Sequence, residues 1–359
     1  MNYDDILQLD AFQTTQAEKE AVFLSYLESL TNHHRKHSNE YRAITDAFGT
    51  KHHFQSLADV PFLPVSLFKE LDLRSVPSTD VFKTMTSSGT TGQAVSKIFL
   101  DKTTALNQQK TLAKIVSSFL GSSRVPMIII DSPKVLQDRT VFSARGAGIL
   151  GFSIFGSKSI YALREDMSLD VEALQAFLEQ YKGQRILLFG FTFMIWRHLI
   201  QELERLDLKL DVAQGIVFHG GGWKKLHQER VSNKDFKRNL QEQLGIEDVH
   251  DYYGMVEQTG TIYVECEHGH LHCSAYSDVI IRDYDRFTEV PSKQTGIIQV
   301  ISLLPESYPG HSLLTEDQGT IWGIDDCPCG RMGKHFTIEG RLQHAEIRGC
   351  SDTYATDFK

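Results

Sequence analysis

A layered α/β unit joined to a smaller antiparallel β subdomain is the fold class this sequence predicts, and two observations predict it. From about residue 80 onward, short unbroken apolar runs alternate with amphipathic segments: Val125–Asp131 (VPMIIID), Arg185–Phe191 (RILLFGF) and Gly215–Gly221 (GIVFHGG). Strands that are apolar on both faces suit a parallel sheet covered by helices on each side. From about residue 261 the runs TIYVE, SDVIIRD, GIIQVIS and QGTIWGI follow one another with turn residues and no helical segment between them. That order suits an antiparallel sheet.

The elements follow in chain order. The first fifty residues read as helices, because Thr15 and Glu18 form a T-x-x-E capping box and Phe23, Leu27 and Leu30 recur on one helical face. Residues 1–80 are accordingly expected as a helical scaffold. Further helices are expected at about Thr104–Leu120, Phe193–Leu206 and Lys234–Leu244, between the apolar runs. Ligands of such sheets gather where the strands end.

Composition narrows the function. The 359 residues are 41% hydrophobic and 23% charged, ordinary for a globular enzyme. A formal net charge of −9 and no Lys/Arg-rich run argue against a nucleic-acid surface. The N-terminus MNYDDILQLDAF lacks the basic-then-apolar order of a signal peptide, and no apolar run reaches the roughly 20 residues of a membrane span. A cytoplasmic protein is expected. Its five cysteines make no disulfide framework: Cys266, Cys273, Cys327 and Cys329 cluster, and Cys350 stands alone.

The densest chemistry lies in Met85–Lys97 (MTSSGTTGQAVSK). Hydroxyls of Thr86, Ser87, Ser88, Thr90 and Thr91 can donate to phosphate oxygens, while Gly89 and Gly92 let backbone N–H groups approach. The loop is neither a G-x-x-x-x-G-K-[ST] nor a G-x-G-x-x-G motif. Gly220-Gly221-Gly222 follows the strand GIVFH, so a flat base can lie on bare backbone there and a downstream tyrosine can stack on its other side. Within DYYGMVE (251–257), Tyr253 and Gly254 precede Glu257, whose carboxylate suits Mg²⁺ shared with nucleotide phosphates. Asp317 in LTEDQG and Arg341 in GR offer a carboxylate and a guanidinium to ribose hydroxyls or phosphate. His219, before the glycine trio, is positioned to orient a carboxylate substrate or to sit satisfied at a strand end.

CEHGHLHC (266–273) and CPCGR (327–331) lie about sixty residues apart, a two-part arrangement typical of structural zinc. Cys266, His268, His270, His272, Cys273, Cys327 and Cys329 compete as ligands, with free thiols as the alternative.

SSGTTG, GGG, YGMVE, TED and GR, in that order, resemble the motif series of the adenylate-forming superfamily of acyl and aryl acid ligases, over nearly the whole chain. The resemblance implies that Ser88, Gly89, Thr90, Thr91 and Gly92, with Ser87 beside them, hold the β- and γ-phosphates of ATP. It implies that Gly221, Gly222, Tyr253 and Gly254 hold adenine, Glu257 holds Mg²⁺, and Asp317 binds ribose with the support of Arg341. Val256 stands where the family carries Thr. PFLPVSLFK (61–69) and RGCSDTY (348–354) look like the acyl-protein synthetases of the bacterial bioluminescence fatty-acid reductase complex, with phenylacetate–CoA ligases as the neighbouring branch. Such synthetases take the acyl group onto a cysteine near their C-terminus, the place of Cys350. The phenylacetate–CoA ligase pattern E-C-x(n)-G-x-H followed by C-x-C-G-R implies Cys266, His272, Cys327 and Cys329 as ligands of a structural zinc.

The expected fold is therefore an adenylate-forming N-terminal domain with a small antiparallel β subdomain and without the usual mobile C-terminal domain. Its expected parts are a helical region (1–80), an α/β nucleotide-binding region (81–260), a β subdomain with the zinc site (261–340) and a C-terminal tail (341–359). The catalytic lysine of the usual C-terminal domain has no assigned counterpart, which leaves Lys97, Lys224, Lys225 or a partner to supply the cation. The function implied is ATP-dependent activation of a carboxylic acid, in the first place a fatty acid, to acyl-AMP, with transfer to Cys350, coenzyme A or a carrier protein, beside an acyl reductase partner. The alternatives are an aryl/acyl-CoA ligase and a non-catalytic acyl- or nucleotide-binding subunit of a reductase complex.

Overall fold

The computed structural model describes residues 3–51, 53–87, 95–136, 144–223 and 230–342. Its strands are β1 (Leu63–Pro64), β2 (Lys83–Thr86), β3 (Lys97–Leu100), β4 (Val125–Ile130), β5 (Gly156–Tyr161), β6 (Ile186–Phe191), β7 (Gly215–Gly220), β8 (Asp248–Tyr253), β9 (Tyr263–Glu265), β10 (Leu271–His272), β11 (Ser277–Arg282), β12 (Thr295–Ser302), β13 (Ser312–Ile324) and β14 (Lys334–Arg341). The described residues group into two compact units. One takes in 3–87, 95–119 and 254–342, and the other the described part of 120–253.

The unit at 120–253 is the α/β layer. Its five strands run parallel in the order β8-β7-β6-β4-β5. Every residue of β6 and β7 is buried, as their unbroken apolar runs require. The helices Val171–Gln180 and Asn233–Leu244 bury Leu174, Phe177, Phe236, Leu240 and Leu244 in the core shared with β4, β6 and β7. The helix that starts at Thr192 passes through a π-helical turn at Trp196–Ile200. The order reverses at β4, flanked by β5 and β6, the kind of place where such sheets gather ligands.

The other unit is antiparallel, in the order β9-β10-β14-β13-β12-β11, with β1 parallel to β13 and β2–β3 as a separate hairpin. The N-terminal helix Gln16–His37 belongs to this unit and starts on the expected box: Thr15 N–H donates to Glu18 (2.9 Å) and Glu18 N–H to Thr15 (3.4 Å). Its buried face is more than Phe23, Leu27 and Leu30. Lys19 Nζ lies 2.9 Å from Asp278 of β11, and Lys334 of β14 lies 3.0 Å from the same carboxylate. All three side chains are almost wholly buried, and Gln16 Nε2 donates a further bond to Asp278 (2.8 Å). Burial would raise the Asp278 carboxyl, but the two ammonium groups overcome that and hold it well below the usual carboxylate range. At the other end of the helix His34 contacts Ser75 Oγ (2.7 Å) and Pro305 O (3.1 Å), while Thr31 contacts His311 (3.1 Å).

Two outcomes follow. Asp278→Asn leaves two buried ammonium groups facing an amide, so the unfolding free energy from urea titration should fall by about 3–5 kcal/mol, more than after the isosteric loss of an exposed pair. His311 is buried, which pushes its ring down to about 3, against about 6.5 when unfolded. The unfolded chain then binds more protons, so this stabilisation is complete above about pH 6.5 and declines as pH falls toward 3. Urea midpoints at pH 7 and pH 5 should differ less in His311→Gln than in the natural chain.

Candidate functional site

In the α/β unit the glycine trio leaves the end of β7 beside β8, with Gly220 opposite Tyr252. Gly221 has φ +78°, and a Cβ there would sit 2.3 Å from the Phe191 ring. Gly222 has φ +61° with nothing within 4 Å of the same position. The first glycine is thus demanded by backbone and packing, the second by backbone alone. Tyr252 faces inward, in a ring cluster with Phe152 and Phe189 (centroids 5.5 and 6.3 Å). Strand alternation directs Tyr253 to the opposite face, where it is half-buried at the end of β8 and followed by Gly254.

His219 lies under the trio, buried, with Nδ1 2.9 Å from Thr192 Oγ1 and its ring against Phe236 (4.6 Å). Burial, then the charge of Lys237, push the ring down to about 3. The 3.5 Å approach of Asp251 is therefore a contact to a neutral imidazole and not an ion pair. His219 is equipped to position neighbours by hydrogen bonding; it is not a proton donor at neutral pH.

The rings of Phe189, Phe191, Phe193 and Trp196 are all buried. Phe189 stacks on Phe152 at 4.2 Å, and Trp196 packs edgewise on Trp223 at 5.7 Å. They are core. A pair that sequence reading passed over stands at the end of β4: Asp131 and Arg145, both buried, with Arg145 Nε 3.0 Å from the carboxylate. Burial raises Asp131 to about 6 despite Arg145. The one signal available was an acidic residue closing the apolar run VPMIII.

In the antiparallel unit the hydroxyl-rich loop springs from the β2–β3 hairpin. Ser87 and Ser96 close its mouth: Ser87 N–H donates to Ser96 O (3.1 Å), and Ser96 N–H to Ser87 Oγ (2.9 Å). Ser88, Gly89, Thr90, Thr91 and Gly92 lie outside the described residues, as do Lys224, Lys225 and Cys350. Glu257 is buried in the turn Val256–Gln258. Tyr308 Oη donates to its carbonyl (2.8 Å), while Gln258 Nε2 donates to Gly310 O (2.8 Å) and Val300 O (3.2 Å). Asp317 of β13 stands directly opposite Arg341 of β14, and Arg341 Nε reaches its carboxylate at 3.4 Å.

The cysteines gather at two turns of the same build. Cys266-Glu267-His268-Gly269 and Cys327-Pro328-Cys329-Gly330 are both C-x-x-G segments, in which the glycine N–H donates back to the first cysteine's carbonyl (2.9 and 3.0 Å). Both glycines have positive φ, +79° and +80°, the conformation that such a tight turn needs. β10 delivers His272 between them. The ligand atoms of Cys266, His272, Cys327 and Cys329 lie within 4.8 Å of one another. Cys266 Sγ is 3.9 Å from Cys327 Sγ, and Cys329 Sγ 3.3 Å from His272 Nε2. A tetrahedral ion at the bond lengths of zinc would set these edges at about 3.8 and 3.5 Å, whereas a disulfide needs about 2.0 Å. Of the competing ligands, Cys273 points elsewhere: its buried thiol sits near Asp278, Lys19 and Lys334, and burial pushes it up to about 12.

The acyl-protein synthetase family LuxE matches residues 2–359. Two relatives named long-chain-fatty-acid–luciferin-component ligase are 20% identical (Vibrio harveyi; 99% of this chain, 93% of the relative) and 21% identical (Aliivibrio fischeri; 89% and 84%). Among solved structures, an open conformation of 2-hydroxyisobutyryl-CoA ligase in complex with 2-HIB-AMP and CoA is similar at TM-score 0.73, with 18% identity over 93% of this chain and 77% of that one. An ATP-bound RpMatB-BxBclM chimera gives TM-score 0.50, with 16% identity over 74% of this chain and 49% of that one. Both share the adenylate-forming ligase fold. No described helix is long and apolar enough to cross a membrane.

The two glycines are separable by experiment. Gly222→Ala should cost about 1 kcal/mol in urea unfolding, the backbone penalty alone, and Gly221→Ala roughly 1–3 kcal/mol more, because Phe191 must move. Equal losses would show that the Phe191 contact is not rigid.

Proposed function

The chain belongs to the LuxE acyl-protein synthetase family and is an ATP-dependent ligase that activates a carboxylic acid as acyl-AMP; from that premise we propose that its acid is a long-chain fatty acid and that Cys350 receives the acyl group. The names of the two curated relatives support the acid. The place of Cys350 in RGCSDTY, outside the described residues, supports the acceptor.

In the first step an oxygen of the acid attacks the α-phosphorus of ATP. The new P–O bond forms as the bond to the β-phosphate breaks, and pyrophosphate leaves with the electron pair. In the second, a thiolate attacks the acyl carbon, the C–O bond to AMP breaks, and AMP leaves. We assign Ser87, Ser88, Gly89, Thr90, Thr91 and Gly92 to the β- and γ-phosphates. Ser87 already accepts the Ser96 N–H, which leaves its O–H proton to donate to phosphate. Gly221, Gly222, Tyr253 and Gly254 receive adenine. Glu257, whose backbone carbonyl Tyr308 clamps, would hold an Mg²⁺ that, when bound, would neutralise phosphate charge. His219 supports the trio from below.

The observation that carries the nucleotide assignment is the register of β13 on β14, which sets Asp317 against Arg341. A carboxylate held in this way can accept both ribose hydroxyls while the guanidinium fixes its orientation. We also assign Cys266, His272, Cys327 and Cys329 to one structural zinc, which would staple the two C-x-x-G turns. An acyl reductase or carrier protein as downstream partner, and cytoplasmic residence, complete the reading.

Exchange of labelled pyrophosphate into ATP, driven by fatty acids of graded chain length, tests the first step. Asp317→Ala should raise the KM for ATP by about 5–150-fold, the equivalent of one charged ribose contact of roughly 1–3 kcal/mol. Cys350→Ser should retain exchange and lose the covalent acyl adduct in intact-mass spectra. If no acid supports exchange, with or without a reductase partner, the chain is a non-catalytic subunit. Exchange with an unmodified Cys350 gives the acceptor role to coenzyme A or a partner.

A further inference from the structure

Beside the four-ligand cluster lies a second group, His270, Cys327 and His335, in which one ring nitrogen of each histidine and the Cys327 sulfur fall within 4.8 Å of one another. His270 Nδ1 is 3.7 Å from Cys327 Sγ, close to the roughly 3.5 Å edge of a tetrahedral site with sulfur and nitrogen ligands. The two imidazoles pack at 4.6 Å between centroids.

His335 is prepared for such a role. Its Nε2 is 2.9 Å from Asp326 Oδ1, the carboxylate–histidine arrangement that fixes a tautomer and leaves the other nitrogen to a metal. That other nitrogen, Nδ1, is buried and hydrogen-bonds no group among the described residues, and the residue as a whole is 5% exposed. The pair also depends on a missing side chain. A Cβ on Gly323 would lie 2.0 Å from Asp326 Oδ1 and 2.5 Å from His335 Nε2, so alanine there would displace the carboxylate from the ring.

We propose that His270, Cys327 and His335 form a second metal position, that Cys327 bridges it to the first, and that the cluster holds two zinc-type ions. The inference rests on the four-ligand reading above. A thiolate has lone pairs enough to bind two ions. The second ion has three protein ligands, and so keeps one position for water or another donor, unlike its closed neighbour. Asp326 is a positioning residue that acts through His335.

Zinc content of the purified full-length chain, measured by mass spectrometry of the metal, tests this, with cadmium-113 NMR of the cadmium-loaded chain as a second readout. Two ions and two cadmium resonances are expected in the natural protein. His270→Ala and His335→Ala should each retain one ion, and Cys327→Ala should lose both. Asp326→Asn should weaken only the second ion, by about 10–100-fold. His270 is half-buried at the surface, so its variant should keep the far-UV circular dichroism of the natural chain and report on metal alone. One ion that His270→Ala and His335→Ala leave in place would overturn the second position while the first stands. No ion in the natural protein would overturn the four-ligand reading itself.

Discussion

The Asp278 carboxylate, buried between Lys19 and Lys334, is the constraint on which the antiparallel unit depends. It joins the N-terminal helix to β11 and β14, elements far apart in the chain. Three charges taken out of water are tolerable only when all remain in place, because each alone would carry an unpaired desolvation penalty. The helix therefore docks in one register. Its start is held against Asp325, which accepts the Gln16 N–H (3.0 Å) and also the Gly333 N–H (2.6 Å) just before β14. Asp325 stands two positions before Cys327, so the start of the helix is tied to the segment that carries that cysteine.

From that frame the candidate residues follow by register. β13 pairs with β14 so that Asp317 meets Arg341 at one end and Gly323 meets His335 at the other. The carboxylate proposed for ribose and the histidine proposed for the second ion thus lie on one strand pair, whose register shifts between Gln318 and Gly319 and again between Ile321 and Gly323. Arg331, between the turn at 327–330 and β14, lies over the Phe119 ring at 4.1 Å and pairs with Glu267 at 3.3 Å. It links the turn at 327–330 to the turn at 266–269 independently of any ion.

Much of this was legible in the residues. The capping box at Thr15 and Glu18 is local, so its geometry follows from four residues. β6 and β7 announce themselves as apolar runs interrupted only by His219, and the glycines that follow β7 mark a turn of positive φ, at Gly221 also a place where a side chain would meet Phe191. The cysteines were legible as two short segments about sixty residues apart; that each is a tight turn closed by a glycine came from the structure. What remained hidden involved partners distant in sequence. Lys19 reads as an ordinary charge on a helix rich in charges, until Asp278 approaches from 259 positions away. Asp131 and Arg145 pair across a segment that carries no motif. The phenylalanines of RILLFGF are apolar in any reading of the sequence; that Phe189 is buried and stacked on Phe152 only the structure shows.

By itself the sequence determined the class of fold, the order of the motifs and the chemistry each can perform, because propensity, periodicity and donor type are properties of neighbouring residues. Tertiary structure alone decided that the N-terminal helix belongs with the late strands and that Cys273 turns away to the buried charges. It also decided that His219 is a neutral, packed imidazole and that His335, bound by Asp326, joins the cysteines. Each of those outcomes depends on burial and on pairs brought together from remote positions. The energy of a buried charge or an unpaired nitrogen exists only once the chain has closed around it.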